Sequence, residues 1–523
     1  MSDTQAQHDA VVALLSDPAT HGIDTPVAQH RTHGALVFLA GDFAYKIKRP
    51  VRYDYLDFST PDRRRAMLAR ELELNRPAAP ALYLDLVPIT RSTSGALELG
   101  GDGQAVEWAL KMRRFPQDAE LARIAEHGAL DAGLAAALGR MVARYHGDTT
   151  PHMDADGAAR MRRVVADLTS GLAGTEEAAD TDSVEALRAQ LDTEVATHAP
   201  LLRARSASGH VRRCHGDLHL GNIVLLDGAP VPFDALEFSE RLATIDVLYD
   251  LAFLLMDLRH RGLGDQANVV LGRYLQHADC DDHFAGLAAM RLFLALRALV
   301  RALVTVQRAR LAQGDEATAA LDDARRYIKD VQRDLTPVPP VMVAVGGLSG
   351  SGKSTLAAAL APLLGAAPGA VHLRSDVARK VMYGVAETTP LPQSAYAPAV
   401  SARIYRSLQN RAQSALEAGQ SVVLDAVHSS PDDRHAAEVA AAAAGVPFLG
   451  LWLQADATEL VERVSARTGD ASDADAAVVR RQLRDASAPV EWVHIDASGD
   501  ARTTLTRARA AIQARGIGVA TQA

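Results

Sequence analysis

With 523 residues, 48% of them apolar and 23% charged, the chain is too long for one ordinary core and predicts two or three globular domains. The net charge of −9 lies wholly in residues 1–340, because residues 341–523 carry 17 basic and 17 acidic side chains. That neutral C-terminal part lacks the basic stripe that displaces counterions, so nucleic acid is not an expected partner. No low-charge tract spans a membrane, and the start MSDTQAQHDA has no basic-then-apolar secretion signal. The only cysteines, Cys214 and Cys280, suit a reducing cytoplasm without disulfides.

In chain order, the apolar runs Gly34–Ala40 and Phe43–Lys48 flank Gly41-Asp42 and predict an antiparallel hairpin. A helix over about Thr60–Arg76 and a strand near Val106–Arg113 follow. From about Asp118 to Val331 helical periodicity dominates, broken by short strand-like runs near Val211–Phe233. Leu287–Val306 is the most apolar helical stretch, yet it carries Arg291, Arg297 and Arg301 and reads as a buried core helix. Thr336-Pro-Val-Pro-Pro340 cannot continue a helix and marks a linker between a domain over 1–335 and another over 341–523. Beyond it, strands at 341–346, 370–373, 421–425, 447–453 and 491–495 alternate with helices, which calls for a parallel sheet covered on both faces.

The first chemical motif is His215-Gly-Asp217-Leu-His219-Leu-Gly-Asn222, with Asp234 in the apolar strand context Val231-Pro-Phe-Asp. An attacking alcohol must lose its proton, which a carboxylate can accept, and a neutral amide oxygen suits a hard cation beside phosphates. The competing reading is a zinc site from His215 and His219. The segment resembles the catalytic loop of aminoglycoside phosphotransferases and their choline and homoserine kinase relatives, as a pattern over roughly residues 25–330. The resemblance implies a bilobal, protein-kinase-like α+β fold. It also implies that Asp217 accepts the substrate proton, that Asn222 and Asp234 bind magnesium, and that Asp250 of Asp250-Leu-Ala252 braces the loop. It further implies that Lys46 clamps the ATP phosphates with Glu71 as its ion-pair partner. Lys48 and Glu73 compete for those roles, because Lys46 and Lys48 share one strand face. The region that would cover the phosphates, Thr32-His33-Gly34, has a single glycine, which favours a metabolite kinase over a protein kinase.

The second motif, Gly347-Leu-Ser349-Gly350-Ser351-Gly352-Lys353-Ser354-Thr355, follows an apolar strand and opens a helix over 354–364, the context of a P-loop. Its backbone N–H groups wrap phosphates, Lys353 reaches the β- and γ-phosphates, and Ser354 holds Mg²⁺. Asp425 matches the second acidic motif of such folds, and Ala426 after it replaces the water-activating Glu common in hydrolytic ATPases. Asp376 and Arg379 resemble the Asp-x-x-Arg element of polynucleotide kinases, zeta-type toxins and gluconate-kinase-like enzymes. There the Asp contacts the acceptor hydroxyl and the Arg holds substrate or phosphate; a helix cap with an intrahelical pair is the alternative. Arg463 and Arg467, with Thr468–Asp473 after them, resemble a nucleotide-kinase lid whose arginines neutralise the phosphoryl group in transit. A solvated helix face paired to Glu459 is the rival. His428 and Arg434 are candidates for the acceptor pocket.

The whole arrangement is similar to bacterial fusions of a phosphotransferase-family domain with an ATP-binding P-loop kinase. It implies two ATP-using (or GTP-using), Mg²⁺-dependent kinases acting on small-molecule hydroxyl acceptors. A P-loop domain that regulates the first kinase, or one with toxin or polynucleotide-kinase activity, is the alternative.

Overall fold

The computed structural model describes residues 3–32, 34–53, 56–153, 156–175, 181–467, 469–485 and 490–519. His33 and Thr468 lie outside the described residues. Two compact units emerge, residues 1–130 with 212–245, and residues 131–211 with 246–523.

In the first unit a six-stranded antiparallel sheet runs in the order Ala28–Arg31, Ala35–Ala40, Phe43–Lys48, Gln104–Arg113, Tyr83–Arg91, Leu97–Leu99. The expected hairpin is present, with Ala40 opposite Phe43 and Gly41 at φ 57, a value glycine supplies without strain. Helix Pro61–Asn75 starts where Thr60 accepts the Arg63 N–H and Pro61 presets φ. Its Arg64 is buried against the sheet, donating to Glu107 through Nε at 2.8 Å and to the Phe58 carbonyl at 2.8 Å. Breaking such a buried pair costs about 3–5 kcal/mol, so this contact fixes the helix rotation that turns Glu71 inward. Leu68 packs in the same core as Ala44, Tyr83, Leu110 and Val224. A second hairpin, Ile223–Leu226 with Ala229–Pro232, follows the histidine motif.

In the second unit, helices Ala132–Gly147, Gly157–Ala173, Thr181–Ala207, Val247–His260, Gly264–His277, Met290–Leu311 and Gly314–Leu335 precede a five-stranded parallel sheet. Met290–Leu311 is the expected core helix; its buried Arg297 lies over the Tyr249 ring at 3.8 Å and donates to the Tyr249 carbonyl at 3.0 Å. The sheet order is Val371–Arg374, Val422–Asp425, Met342–Gly347, Phe448–Gln454, Val493–Asp496, each strand within two residues of its expected place. Val343, Val345, Leu356, Leu360, Val423, Leu451 and Ile495 share one core, as strands buried on both faces require.

Within this unit, helix Gly264–His277 docks directly on the P-loop sheet segment. Asn268 Nδ2 donates to the Ala370 and Pro368 carbonyls at 2.9 and 3.2 Å. Glu387 receives Arg273 at 2.9 Å and His277 Nε2 at 3.4 Å, with Arg140 at 3.8 Å.

Candidate active sites

In the first unit, Lys46 and Lys48 point to one face of strand Phe43–Lys48 and share Glu71. Lys46 Nζ lies 2.7 Å from Glu71 Oε1 and 2.7 Å from Asp234 Oδ1. Lys48 Nζ lies 2.7 Å from Glu71 Oε2 and 2.7 Å from Glu237 Oε1. Glu73 is on the outer face of its helix and pairs with Arg70. Burial works against the Lys46 charge, but Asp234 and Glu71 hold its pKa well above the usual lysine value. Desolvation alone would raise the Asp234 carboxyl; the Lys46 ammonium, by charge and hydrogen bond, brings it below the ordinary range. Asp234 adopts φ 59, and its N–H donates to the Tyr83 hydroxyl at 2.9 Å. Asn75 ties this corner to the glutamate helix, donating to the Glu71 carbonyl and accepting the Ala235 N–H.

The histidine motif forms a self-bonded loop. Asn222 Nδ2 donates to the Asp217 carbonyl at 2.9 Å and to Asp217 Oδ2 at 3.0 Å, and Asn222 Oδ1 is the hard oxygen of that amide. His215 Nε2 donates to the Phe233 carbonyl, while its Nδ1 accepts the Asp217 N–H. His219 Nδ1 accepts the Gly221 N–H, and its Nε2 sits 3.5 Å from Asp217 Oδ2. Both rings are thus engaged in holding the loop, and they form no metal-type cluster among the described residues. Asp250, in the second unit, is fully buried and meets His146 Nε2 at 3.2 Å and Arg297 Nη2 at 3.7 Å.

The P-loop leaves strand Met342–Gly347 and enters helix Lys353–Leu360, which starts one residue earlier and is shorter than expected. Gly350 has φ 86, and a Cβ there would lie 2.4 Å from the Leu460 carbonyl, so only glycine fits. Ser349, Gly350, Gly352, Lys353, Ser354 and Thr355 line a cleft of about 1,100 Å³, which also takes in Asp376, Arg379, Asp425, Arg463 and Arg467. Ser351 is buried beneath the loop, where its Oγ is 2.9 Å from a Cβ built on Gly347. Lys353 Nζ donates to the Leu348 carbonyl at 2.9 Å, and burial lowers its pKa. Asp425 ends its strand hydrogen-bonded to Ser354; His372 Nε2 lies 3.3 Å away and Arg374 Nε 3.7 Å away. Burial opposes its charge, and His372, Arg374 and Ser354 together carry its pKa below the usual value.

Asp376 stands in the first turn of helix Ser375–Met382, where burial raises its pKa and the Arg374 charge only partly offsets that. Arg379 donates to the Ala395 carbonyl and to Ser401 Oγ, with its guanidinium 4.7 Å from the Tyr396 ring centre. Arg463 bonds Glu459 and the Ala497 and Gly499 carbonyls. Arg467 does not share a helical face with it: helix Ala457–Ala466 has ended, and Arg467 is extended, donating to the Ser472 and Ala474 carbonyls. His428 is buried between the Tyr405 and Trp492 rings, and burial pushes its pKa down to about 3. Arg434 donates to the His428 and Ser429 carbonyls.

Sequence reasoning missed four participants. Glu237, three residues after Asp234, completes the Lys48 pair. Arg374, His372 and Gln482 crowd the P-loop cleft, and Gln482 Oε1 accepts the Ser349 N–H at 2.9 Å. The available signal was alternation: His372 and Arg374 share a strand face, and Arg374 pairs in register with Asp425.

Residues 58–293 match the phosphotransferase enzyme family and residues 342–489 match an AAA domain. The fold and the two sites thus define a kinase-type phosphotransferase joined to a P-loop nucleotide-binding domain. Over 454 residues the chain is 31% identical to uncharacterized proteins of Mycobacterium tuberculosis and Mycobacterium bovis, covering 86% of this chain and 87% of theirs. It belongs to the family of these mycobacterial proteins. Among solved structures, a choline/ethanolamine kinase family protein from Mesorhizobium loti is 18% identical with a TM-score of 0.37, over 63% of this chain and 98% of its own. A glucosamine kinase is 16% identical with a TM-score of 0.34, over 63% and 81%. A sugar kinase from Janibacter sp. is 22% identical with a TM-score of 0.25, over 34% and 96%. Among the described residues no helix is long and apolar enough to cross a membrane.

Proposed function

We propose that the protein is a bifunctional, cytoplasmic phosphotransferase in which each site moves the γ-phosphoryl group of ATP, or of GTP, to a hydroxyl of a small-molecule acceptor. The observation that carries this reading is that each site holds a phosphate-seeking lysine together with a second carboxylate suited to accepting a proton. In the first, Lys46 is aimed by Glu71 and Asp217 stands in the loop; in the second, Lys353 stands at the helix start and Asp376 across the cleft.

Mg²⁺ would supply charge neutralisation on the phosphates, held by Asn222 and Asp234 in the first site and by Ser354 and Asp425 in the second. Both are sets of hard oxygen donors, and Ser354 already meets Asp425. Asp217, oriented by the Asn222 amide, accepts the acceptor's hydroxyl proton as the new O–P bond forms and the nucleoside diphosphate leaves. Lys46 reaches the phosphates while Glu71 holds its ammonium; its contact with Asp234 favours it over Lys48 for this role. In the second site the P-loop N–H groups and Lys353 cradle the phosphates. There Asp376, made more basic by burial, accepts the proton, and Arg467 and Arg463 line the path of the transferred group. Arg379 holds the segment carrying Ala395 and Tyr396 at the acceptor end.

Docking of helix Gly264–His277 on the P-loop segment favours a second reading, in which nucleotide binding there regulates the kinase. Incubating the protein with ATP, Mg²⁺ and a metabolite extract, and reading new phosphorylated species by mass spectrometry, separates the two. Two-site catalysis predicts one product set lost in Asp217→Ala and a different set lost in Lys353→Ala. A single product set lost in both variants would replace it with regulation.

A further inference from the structure

Away from both sites, three residues of metal-ligating chemistry converge in the helical part of the second unit. One ligand atom each from His210, Cys280 and His283 lies within 4.8 Å of the other two. A tetrahedral zinc ion, with Zn–N near 2.0 Å and Zn–S near 2.3 Å, sets its ligand atoms about 3.3–3.8 Å apart, so closure needs movements of about 1 Å. The two histidines are buried and Cys280 is partly exposed, which leaves a route for an ion to enter.

We propose that His210, Cys280 and His283 form a binding site for a zinc-class divalent ion, with the Asp282 carboxylate, now near His210 alone, swinging in as the fourth ligand. Asp282 Oδ2 already sits 3.3 Å from His210 Nε2. Nitrogen and thiolate donors in a tetrahedral set select zinc over magnesium or calcium, so this site is chemically distinct from the oxygen-donor sites for nucleotide.

The surroundings favour a metal over a plain packing cluster. Buried His283 has no hydrogen-bond partner at Nδ1, an orphan that a core histidine would normally satisfy. Arg205 is the nearby cation, and Asp246 satisfies it through two bonds at 2.7 and 2.8 Å. With that pair neutral, one thiolate and one carboxylate balance a divalent ion. Tyr274 and His146 complete the titratable neighbours and bond each other at 3.1 Å.

The ion would act as a clip. Cys280, Asp282 and His283 fall within four consecutive residues, and His210 lies 70 residues earlier, just before strand Val211–Arg213. On its other side the same turn grips the P-loop segment, because Asp279 and Asp281 hold Arg411 of helix Pro398–Glu417 at 3.0 and 2.7 Å.

The test is titration of tag-free, chelator-treated and dialysed full-length protein with Co²⁺, followed by displacement with Zn²⁺. The expected result is a thiolate-to-cobalt absorption band saturating at one ion per chain, abolished by one equivalent of Zn²⁺. Cys280→Ser should lose the band and Cys214→Ser should keep it, while His283→Gln should weaken binding at least tenfold. Cys280 is the more exposed ligand, so its variant reports even where His283→Gln folds poorly. No thiolate band in folded wild type, or an unchanged band in Cys280→Ser, overturns the proposal.

Discussion

One carboxylate serving two ammonium groups is the defining detail of the first site: Glu71 binds Lys46 through Oε1 and Lys48 through Oε2. The outer carboxylates differ, Asp234 for Lys46 and Glu237 for Lys48, so the two lysines are separated in task although they share a strand face. Lys48 is nearly solvent-free and both its partners are recessed, which marks it as a brace. Lys46→Met should lower first-site kcat/KM by about 10²–10³ with little loss of stability, as loss of one charge-stabilising donor does. Lys48→Met should instead lower stability by about 3–5 kcal/mol, the cost of stranding a buried partner. Denaturant melts and single-acceptor kinetics on both variants check this, and a reversed pattern would exchange the two roles. At Asp376 burial raises the pKa, so protonation of this base sets in at higher pH than for an ordinary aspartate. Turnover in the second site should therefore fall on acidification through a group titrating above the usual carboxylate range, read as the acid limb of kcat/KM. A limb at the ordinary aspartate value would contradict that role. The motif residues themselves were legible in the sequence because glycine, lysine and carboxylate spacing encodes their local geometry. Glu237 and Gln482 were not, because their contacts come from tertiary approach across elements with no fixed spacing.

Strand and helix placement was readable wherever one periodicity ran unopposed. The five parallel strands are short apolar runs between helical patterns, and the core helix betrayed itself as the most apolar helical stretch, one that nonetheless carries three arginines. Helix ends were less legible. The helix bearing Arg463 stops at Ala466, where Arg467 turns extended to hold the Ser472 and Ala474 carbonyls, a tertiary demand that overrides local propensity. Helix pairing has its own signature in His260, which stacks on Tyr327 at 3.6 Å and bonds Asp330 at 2.6 Å and Asp323 at 3.0 Å. Burial opposes its charge, yet the two carboxylates raise its pKa above 6.5, with Arg326 the facing cation. A raised histidine contributes stability that is complete below its unfolded pKa and is lost as pH rises through its folded pKa. Melting temperature should thus decline on raising pH above about 6.5, and His260→Asn should flatten that slope. An unchanged slope in the variant would remove His260 as its source.

For the whole molecule, the division into compact units follows packing rather than sequence order. Residues 131–211 and 246–335 sit in one unit with the P-loop sheet, joined by Asn268, by the Glu387 cluster and by Arg411. The proline segment at 336–340 announced a break in helical structure, but nothing in periodicity could announce that surfaces on either side of it would pack together. Two sites on one chain need not be equivalent or independent, and nucleotide stoichiometry tests that most directly. Titration calorimetry with Mg²⁺ and a non-hydrolysable ATP analogue should give two nucleotides per chain, falling to one in Lys353→Ala and to the other one in Asp234→Asn. One nucleotide in the wild type, or loss of both in either variant, would contradict two phosphoryl-transfer sites.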